Sequence, residues 1–421
     1  MKILFCNYEY PPLGGGGGVF NALLAQELAK RHEVTVLTSQ GLDLPQEQVE
    51  QGVQVVRVPV LFRRKESVAN LVSMLAFLPM GIWKGKKLVT SKHFDVMNTQ
   101  FVLPTGPVGD ALGRYANLPN VLTVLGGDLY DPSKFTSPHR HPLLRIWVRH
   151  LLKRADKIVG ESGNILEIMH RFYLDGLDEV RIPLGIPQPH LSPVSRDILG
   201  IAEKEIVLVT VGRLVARKGI HQLIRMMVHF RDKPVRLLIL GSGPQERTLR
   251  QEAIQGKVDG QVMFMGHVEE TDKFNYLQLS DFYVSTSQHE GFGIVFLEAM
   301  ACGLPVICYN HGGQTDFLCD EETGYLVPLN DHELFLKRCR ILVENRDLRK
   351  MMGDHNRKKV EEYYIEHCAR QYEQVFQEVI ERHKRGKGRT EGKIRLVEDG
   401  GYWRHQLGIY WGGVFDLCFG E

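Results

Sequence analysis

The chain reads as an α/β protein: two open parallel sheets, each covered by helices on both faces, that face one another across a central cleft. Three observations predict this. Short runs of Val, Ile and Leu recur without alternation, as strands buried on both faces require. Each run is followed by a loop and a helical pattern, which is the order of a parallel crossover. The rhythm is interrupted once, by a segment carrying Pro183, Pro187, Pro189 and Pro193, and restarts near residue 205.

In chain order, the strands expected in the first half are KILFCN, EVTVLTS, VQVVRVPV, DVMNTQ, NVLTVLGG and KIVGES. Those of the second half are EIVLVTVG, VRLLILGSG, VMFMG, DFYVSTS, LPVICYN and GYLVP. The expected organisation is a Rossmann-like domain over residues 1–190 and a second over 191–364, with the proline-rich segment as linker. Residues 365–383 carry Ala369, Tyr372, Val375, Phe376, Val379 and Ile380 at helical spacing and form a terminal amphipathic helix that packs back toward the first domain. The tail 384–421 turns from basic and glycine-rich to aromatic at Tyr402, Trp403, Tyr410, Trp411, Phe415 and Phe419; a disordered extension is preferred to a docking element or membrane contact. Ligands of open α/β sheets bind beyond the carboxyl ends of the strands, so the expected site is the cleft between the two sheets.

Composition limits the function classes. The 421 residues are 43% hydrophobic and 24% charged with a formal net charge of +2, so nothing in the overall charge argues for nucleic acid, and electrostatic partners must be met by local patches. Seven scattered cysteines without a CxxC pair predict neither a disulfide framework nor a zinc site, and point to a reducing compartment. The start, MKILFCNYEYPP, has too short an apolar run for a signal peptide, and no run reaches the ~18 apolar residues of a spanning helix. The expected location is cytoplasmic, or peripheral on the cytoplasmic face of a membrane.

Chemistry is concentrated in the second half. After EIVLVTVG, Arg213 and Lys218 stand at a strand end where two cations are able to meet one diphosphate; a solvated basic loop is the alternative. The lysine precedes its glycine, so the segment is not a Walker loop. Strand DFYVSTS leads into HEGFGIVFLEAMACGLP, in which Glu290 and Glu298 flank Gly291, Phe292 and Gly293, and a helix is expected to begin near Ile294 and Val295. Free N–H groups and the dipole at such a helix start favour a phosphate. Glu298, about one turn in, has the position to accept from the vicinal hydroxyls of a ribose, and Glu290 faces the far side of the phosphates.

These residues carry a family resemblance. EGFGIVFLEAMACGLPV resembles the E-x7-E motif of retaining glycosyltransferases of family 4, which have the GT-B fold. GRLVARKG is similar to that family's phosphate-binding loop, LILGSGP to its next strand and turn, and GGQTDFL with ETGYLVP to its closing segments. In the first half, PPLGGGGGVFNALLAQELAKRHEVTVLT resembles the first βαβ unit and ADKIVGES the sixth strand, so that the likeness spans about residues 1 to 380 in order. It implies that Glu298 binds the nucleotide ribose and Glu290 the donor sugar, while Arg213 and Lys218 neutralise the diphosphate. Gly291, Phe292, Gly293, Ile294 and Val295 line the nucleotide-sugar. It further implies a hexosyl transfer from a nucleotide-sugar donor to a hydroxyl acceptor, without cofactor or metal; no D-x-D motif is present.

The five glycines Gly14 to Gly18 do not fit a dinucleotide fingerprint, because Val19 and Phe20 stand where glycine is needed and EVTVLTS is followed by Gln40 rather than an acid. By resemblance they form a glycine loop beside donor phosphates and acceptor, with Gly15 and Gly16 best aligned. In VLTVLGGDLYDP the family often has a donor-sugar histidine where this chain has Leu125; Asp128, at the end of that loop, is either a sugar or acceptor contact or a capping or turn aspartate. RIPLGIP has Leu184 and Pro187 where the family has asparagine and aspartate. Two segments bear on the acceptor. VANLVSMLAFLPMGIW is bracketed by Arg63, Arg64 and Lys65 and by Lys84, Lys86 and Lys87, the arrangement of an interfacial helix on anionic lipid, or of a core helix with a basic edge. HPLLRIWVRHLLKRADK, with Arg145, Arg149, Lys153 and Arg154, is read as the latter. The expected acceptor is a sugar, a lipid-linked sugar or another cell-surface polysaccharide precursor. A nucleotide-sugar epimerase on the same fold, or a binding protein without catalysis, are the rival functions.

Overall fold

A computed structural model describes residues 1–41, 43–63, 71–191, 194–386 and 395–396. The first half builds β1 (Lys2–Asn7), α1 (Gly16–Ala29), β2 (Glu33–Ser39), β3 (Glu47–Glu50), β4 (Val53–Val58), α2 (Leu71–Ser91), β5 (Val96–Gln100), α3 (Gly106–Ala116), β6 (Asn120–Val124), α4 (Pro142–Arg154), β7 (Lys157–Gly160), α5 (Gly163–Phe172), β8 (Leu174–Asp175) and β9 (Glu179–Arg181). Its sheet runs in the order β3-β4-β2-β1-β5-β6-β7-β9, parallel throughout except that β3 lies antiparallel to β4. Every residue of β5 and β6 is buried, the polar Asn98, Thr99 and Gln100 of β5 included, as in central strands covered on both faces. β3 and β9 are not evident from apolar runs: EQVE and EVR are charged edge strands, and charge at an edge discourages further pairing.

The second half builds β10 (Ile206–Val211), α6 (Ile220–Met227), β11 (Val235–Leu240), α7 (Glu246–Gln255), β12 (Val262–Gly266), α8 (Glu270–Leu279), β13 (Phe282–Ser285), α9 (Ile294–Ala301), β14 (Val306–Tyr309), β15 (Gly324–Val327), α10 (His332–Glu344) and α11 (Arg346–Lys359). Its parallel sheet runs β12-β11-β10-β13-β14-β15. All twelve apolar runs named from the sequence are strands of these two sheets.

The strand order reverses between β1 and β5 in the first sheet and between β10 and β13 in the second. Loops leaving adjacent strands there diverge to opposite faces and open a crevice at the carboxyl edge. The glycine run and Glu9 follow β1; Lys218 follows β10; Glu290 follows β13.

The two halves are also joined at the back. Ile365 N–H donates to Ile186 O at 2.8 Å and Ile186 N–H to Tyr363 O at 3.0 Å, after which α12 (Ile365–Lys384) lies on the first sheet. The six apolar residues named for this helix are all buried, Tyr372 Oη lies 3.3 Å from Thr123 Oγ1, and Arg382 pairs with Asp178. Within the tail, β16 (Arg395–Leu396) pairs antiparallel with β8, which departs from an extension disordered throughout; the aromatic cluster from Tyr402 to Phe419 lies outside the described residues, as do Arg64, Lys65 and Pro193. The six described cysteines are all free thiols.

Candidate active site

The loop between β13 and α9 is built for close approach. Gly293 opens α9 with φ +88°, a backbone that a side chain would strain, and Phe292 is buried against Phe317 at 5.0 Å between ring centres. The turn after β10 is fastened to this loop: Gln288 N–H donates to Arg217 O at 2.8 Å, and Thr286 Oγ1 to Gly219 O at 2.9 Å. Gly219 has φ +62°, and a Cβ there would sit 2.4 Å from Thr286 O. Lys218 Nζ thereby reaches Glu290 Oε1 at 2.5 Å, with Arg217 Nη1 3.6 Å from Oε2. Burial opposes the charge on Glu290, but Lys218 and Arg217 outweigh it and hold its carboxyl below the ordinary value. Arg213 is exposed and forms no ion pair among the described residues, and Arg217 is the second cation beside Glu290.

Glu298, the fifth residue of α9, is buried and pairs through Oε1 with Lys273 Nζ of α8 at 2.7 Å. Its Oε2 is buried with no hydrogen-bond partner among the described residues. One of the two oxygens expected to meet the ribose hydroxyls is thus already held by Lys273. Lys273 was missed, although a signal exists: it lies one turn before the fully buried Leu277, so a charge occupies an apolar stripe.

On the opposite wall, Asp128 ends a short 3-10 turn and is buried. Its carboxylate accepts from the N–H groups of Val102 and Leu103 (the latter at 3.1 Å), which ties the loop after β6 to that after β5. Burial pushes its pKa up to about 7 despite these donors. Of the two readings of Asp128, the turn-holding one describes its contacts. Gly16 already belongs to α1 and Gly15 is its N-cap, so much of the glycine run is the first turn of a helix rather than a free loop; a Cβ on either would meet nothing within 4 Å. Gly15 N–H donates to Glu9 Oε2 at 3.2 Å.

A third carboxylate, Glu161 after β7, was not singled out from the sequence. It is buried, and its Oε1 accepts from Gly126 N–H at 2.6 Å. A Cβ on Gly291 would lie 2.5 Å from that oxygen and 2.6 Å from Gly126 Cα, so the two halves meet here backbone to backbone. Ser162 Oγ donates to Gly291 O at 2.8 Å and Gly163 N–H to Asp316 Oδ2 at 2.7 Å. Burial, then Asp128 and Glu290, raise Glu161 to about 8. His289 is likewise buried, its Nε2 without a hydrogen-bond partner among the described residues and Tyr130 at 5.3 Å between rings; burial and Arg217 lower it to about 4, which keeps it neutral. Among the described residues no three His, Cys, Asp or Glu side chains gather as a metal site would need.

The arrangement is a cleft with cations and a glycine-opened helix on one wall and a neutral acid on the other. Residues 192–359 match the family model described as glycosyl transferases group 1, and residues 14–187 that of glycosyltransferase family 4. The chain belongs to the family 4 glycosyltransferases. This glycosyltransferase is 24% identical over 407 residues to the N-acetyl-alpha-D-glucosaminyl L-malate synthase of Bacillus anthracis, an alignment covering 92% of this chain and 100% of that one. Its fold superimposes on a sucrose-phosphate synthase from Thermosynechococcus elongatus with a TM-score of 0.80 at 22% identity, over 90% of this chain and 100% of that chain. It also superimposes on the Anabaena protein Alr3699/HepE, solved in complex with UDP-glucose, with a TM-score of 0.72 at 20% identity, over 90% and 100% of the two chains. The two sheets facing a cleft are therefore the GT-B architecture of a hexosyltransferase.

Proposed function

We propose that this glycosyltransferase moves a hexosyl group from a nucleoside diphosphate sugar to a hydroxyl acceptor with retention of configuration and without a metal ion. The observation that carries this reading is the Lys218–Glu290–Arg217 cluster at the β10/β13 switch point. An entering diphosphate takes over the two cations, which releases Glu290 toward the donor sugar's hydroxyls. Preorganised cations and the start of α9 then meet charge as it grows on the leaving diphosphate. As the anomeric carbon–phosphate oxygen bond breaks, the acceptor oxygen bonds to the same face and its proton passes to the leaving phosphate oxygen. No protein base is consumed in this step. The UDP-glucose complex of the Anabaena relative makes UDP the first donor nucleotide to try.

A lipid-linked or membrane-proximal acceptor is supported by α2. Leu71, Val72, Leu75, Met80 and Trp83 are exposed along one face that ends in the exposed Lys86 and Lys87, with Lys87 Nζ 3.7 Å from the Trp83 ring centre. Tyr8 Oη, just beyond β1, bonds Ser73 Oγ at 2.7 Å and ties the apolar end of this face to the carboxyl edge of the first sheet. No helix of the described residues is long and apolar enough to cross a membrane, so contact through such a face would be interfacial.

The test is a thermal shift with UDP, GDP and ADP on the wild type and on Lys218→Ala. A nucleotide at 100 times its Kd adds about 2.7 kcal/mol to the wild type. The variant is expected to show no such shift and to lose transfer at least about a hundredfold. Full activity in Lys218→Ala sinks the phosphate assignment.

A further inference from the structure

We infer that Lys273 is a positioning residue for the donor nucleotide: it grips one oxygen of Glu298, so that the remaining oxygen is aimed for the ribose hydroxyls. The inference rests on the reading that Glu298 receives the ribose. Lys273 and Glu298 come from different elements, α8 and α9, and are both buried. Their contact at 2.7 Å leaves Glu298 Oε2 buried without a partner among the described residues, and a buried carboxylate oxygen with no donor is costly unless a ligand supplies one. Glu270 holds Lys273 from the outer side at 2.5 Å, which completes a chain from the surface to the ribose position.

The groups facing Glu298 define its charge. From α8 come Lys273 and Glu270, from β13 the Tyr283 phenol and from the end of α9 the Cys302 thiol. Burial pushes the Glu298 carboxyl up and Glu270 adds to this, while Lys273 is the cation that pulls it back. Burial works against the Lys273 ammonium too, but Glu298 and Glu270 hold it above its ordinary value. Without the lysine, Glu298 would take a proton nearer neutral pH and lose the anion that receives a hydroxyl.

Calorimetric binding of UDP, with GDP and ADP in parallel, tests this from pH 5.5 to 8 in the wild type, Lys273→Met, Lys273→Arg, Glu298→Gln and the Lys273→Met/Glu298→Gln double variant. Lys273→Met is expected to weaken the nucleotide roughly ten- to hundredfold at pH 7.5, the range of a charge-assisted hydrogen bond, and its affinity is expected to fall off more steeply than that of the wild type as pH is lowered. The double variant should bind no worse than Glu298→Gln alone. Against 2′,3′-dideoxy-UDP, which has no ribose hydroxyl to give, Lys273→Met should bind as the wild type does, and Lys273→Arg should retain most of the UDP affinity. Lys273→Met binding UDP like the wild type at every pH overturns the inference, as does an equal loss against UDP and its dideoxy analogue or a loss in Lys273→Arg as large as in Lys273→Met. If Glu298→Gln itself binds like the wild type, the ribose assignment is what fails. If the wild type binds none of the three nucleotides, the donor reading fails and this one with it.

Discussion

Glu161 closes β7 at the point where the two halves touch, facing Asp128, Glu290 and, from α12, Tyr372. Its folded-state pKa, raised to about 8, lies above the value of about 4.3 for an unfolded glutamate. Between these values the folded protein holds a proton that the unfolded chain has released, so stability falls as pH rises through this window and levels off above it. Glu161→Gln keeps a neutral acceptor for Gly126 N–H and removes the titration. Its melting temperature should gain on the wild type steadily from pH 5 to pH 8; parallel melting curves across that range would mean that Glu161 is not held neutral. Glu290, Glu298 and Lys218 were legible because each sits at a fixed offset from a glycine-flanked helix start. Arg217, Lys273, Glu161 and His289 were not, since each owes its importance to neighbours brought from another strand or helix.

At the scale of elements, periodicity served well because both sheets are covered on both faces, which makes strands continuous in apolar character and helices amphipathic. The exceptions follow from local physics. EQVE has no buried face to declare it, and the glycine run becomes helical because α1 is held by its buried face, Phe20, Leu24 and Leu28, rather than by propensity at its start. The two basic helices use their cations differently. In α4, Arg145 and Arg149 donate to the carbonyls of Phe172 and Tyr173 at the end of α5, so these two fasten α4 to α5 instead of forming the solvated edge expected, and Leu143 and Ile146 are exposed. In α2 the lysines extend an exposed apolar face. Vesicles containing anionic lipid should therefore co-sediment the wild type at low salt, and Trp83→Ala with Lys86→Glu and Lys87→Glu should lower the membrane partition constant at least roughly thirtyfold, since the two lysines alone contribute about 1 kcal/mol each near the surface. Wild-type protein that stays in the supernatant removes the membrane-proximal acceptor.

In the whole molecule, the decisive contact is the seam where Gly126 and Gly291 meet without side chains. Gly291 has no positive φ, so a methyl group there strains nothing locally but would stand 2.6 Å from Gly126 Cα across the cleft. Gly291→Ala should leave UDP binding intact while transfer falls about a hundredfold, the scale at which an ångström of misplacement between reacting groups is felt; unchanged turnover would show that the seam is not part of the reactive arrangement. The two parallel sheets, their order along the chain, the terminal helix and the motif carboxylates were determined by the sequence alone, because burial on both faces and glycine offsets write themselves into local pattern. Which side of the first sheet α12 covers, which cation meets Glu290, what holds Glu298 and where a neutral acid stands between the halves were decided only by tertiary structure. These contacts join residues far apart in the chain, and their energies come from burial and charge at distances of a few ångströms that no local pattern records.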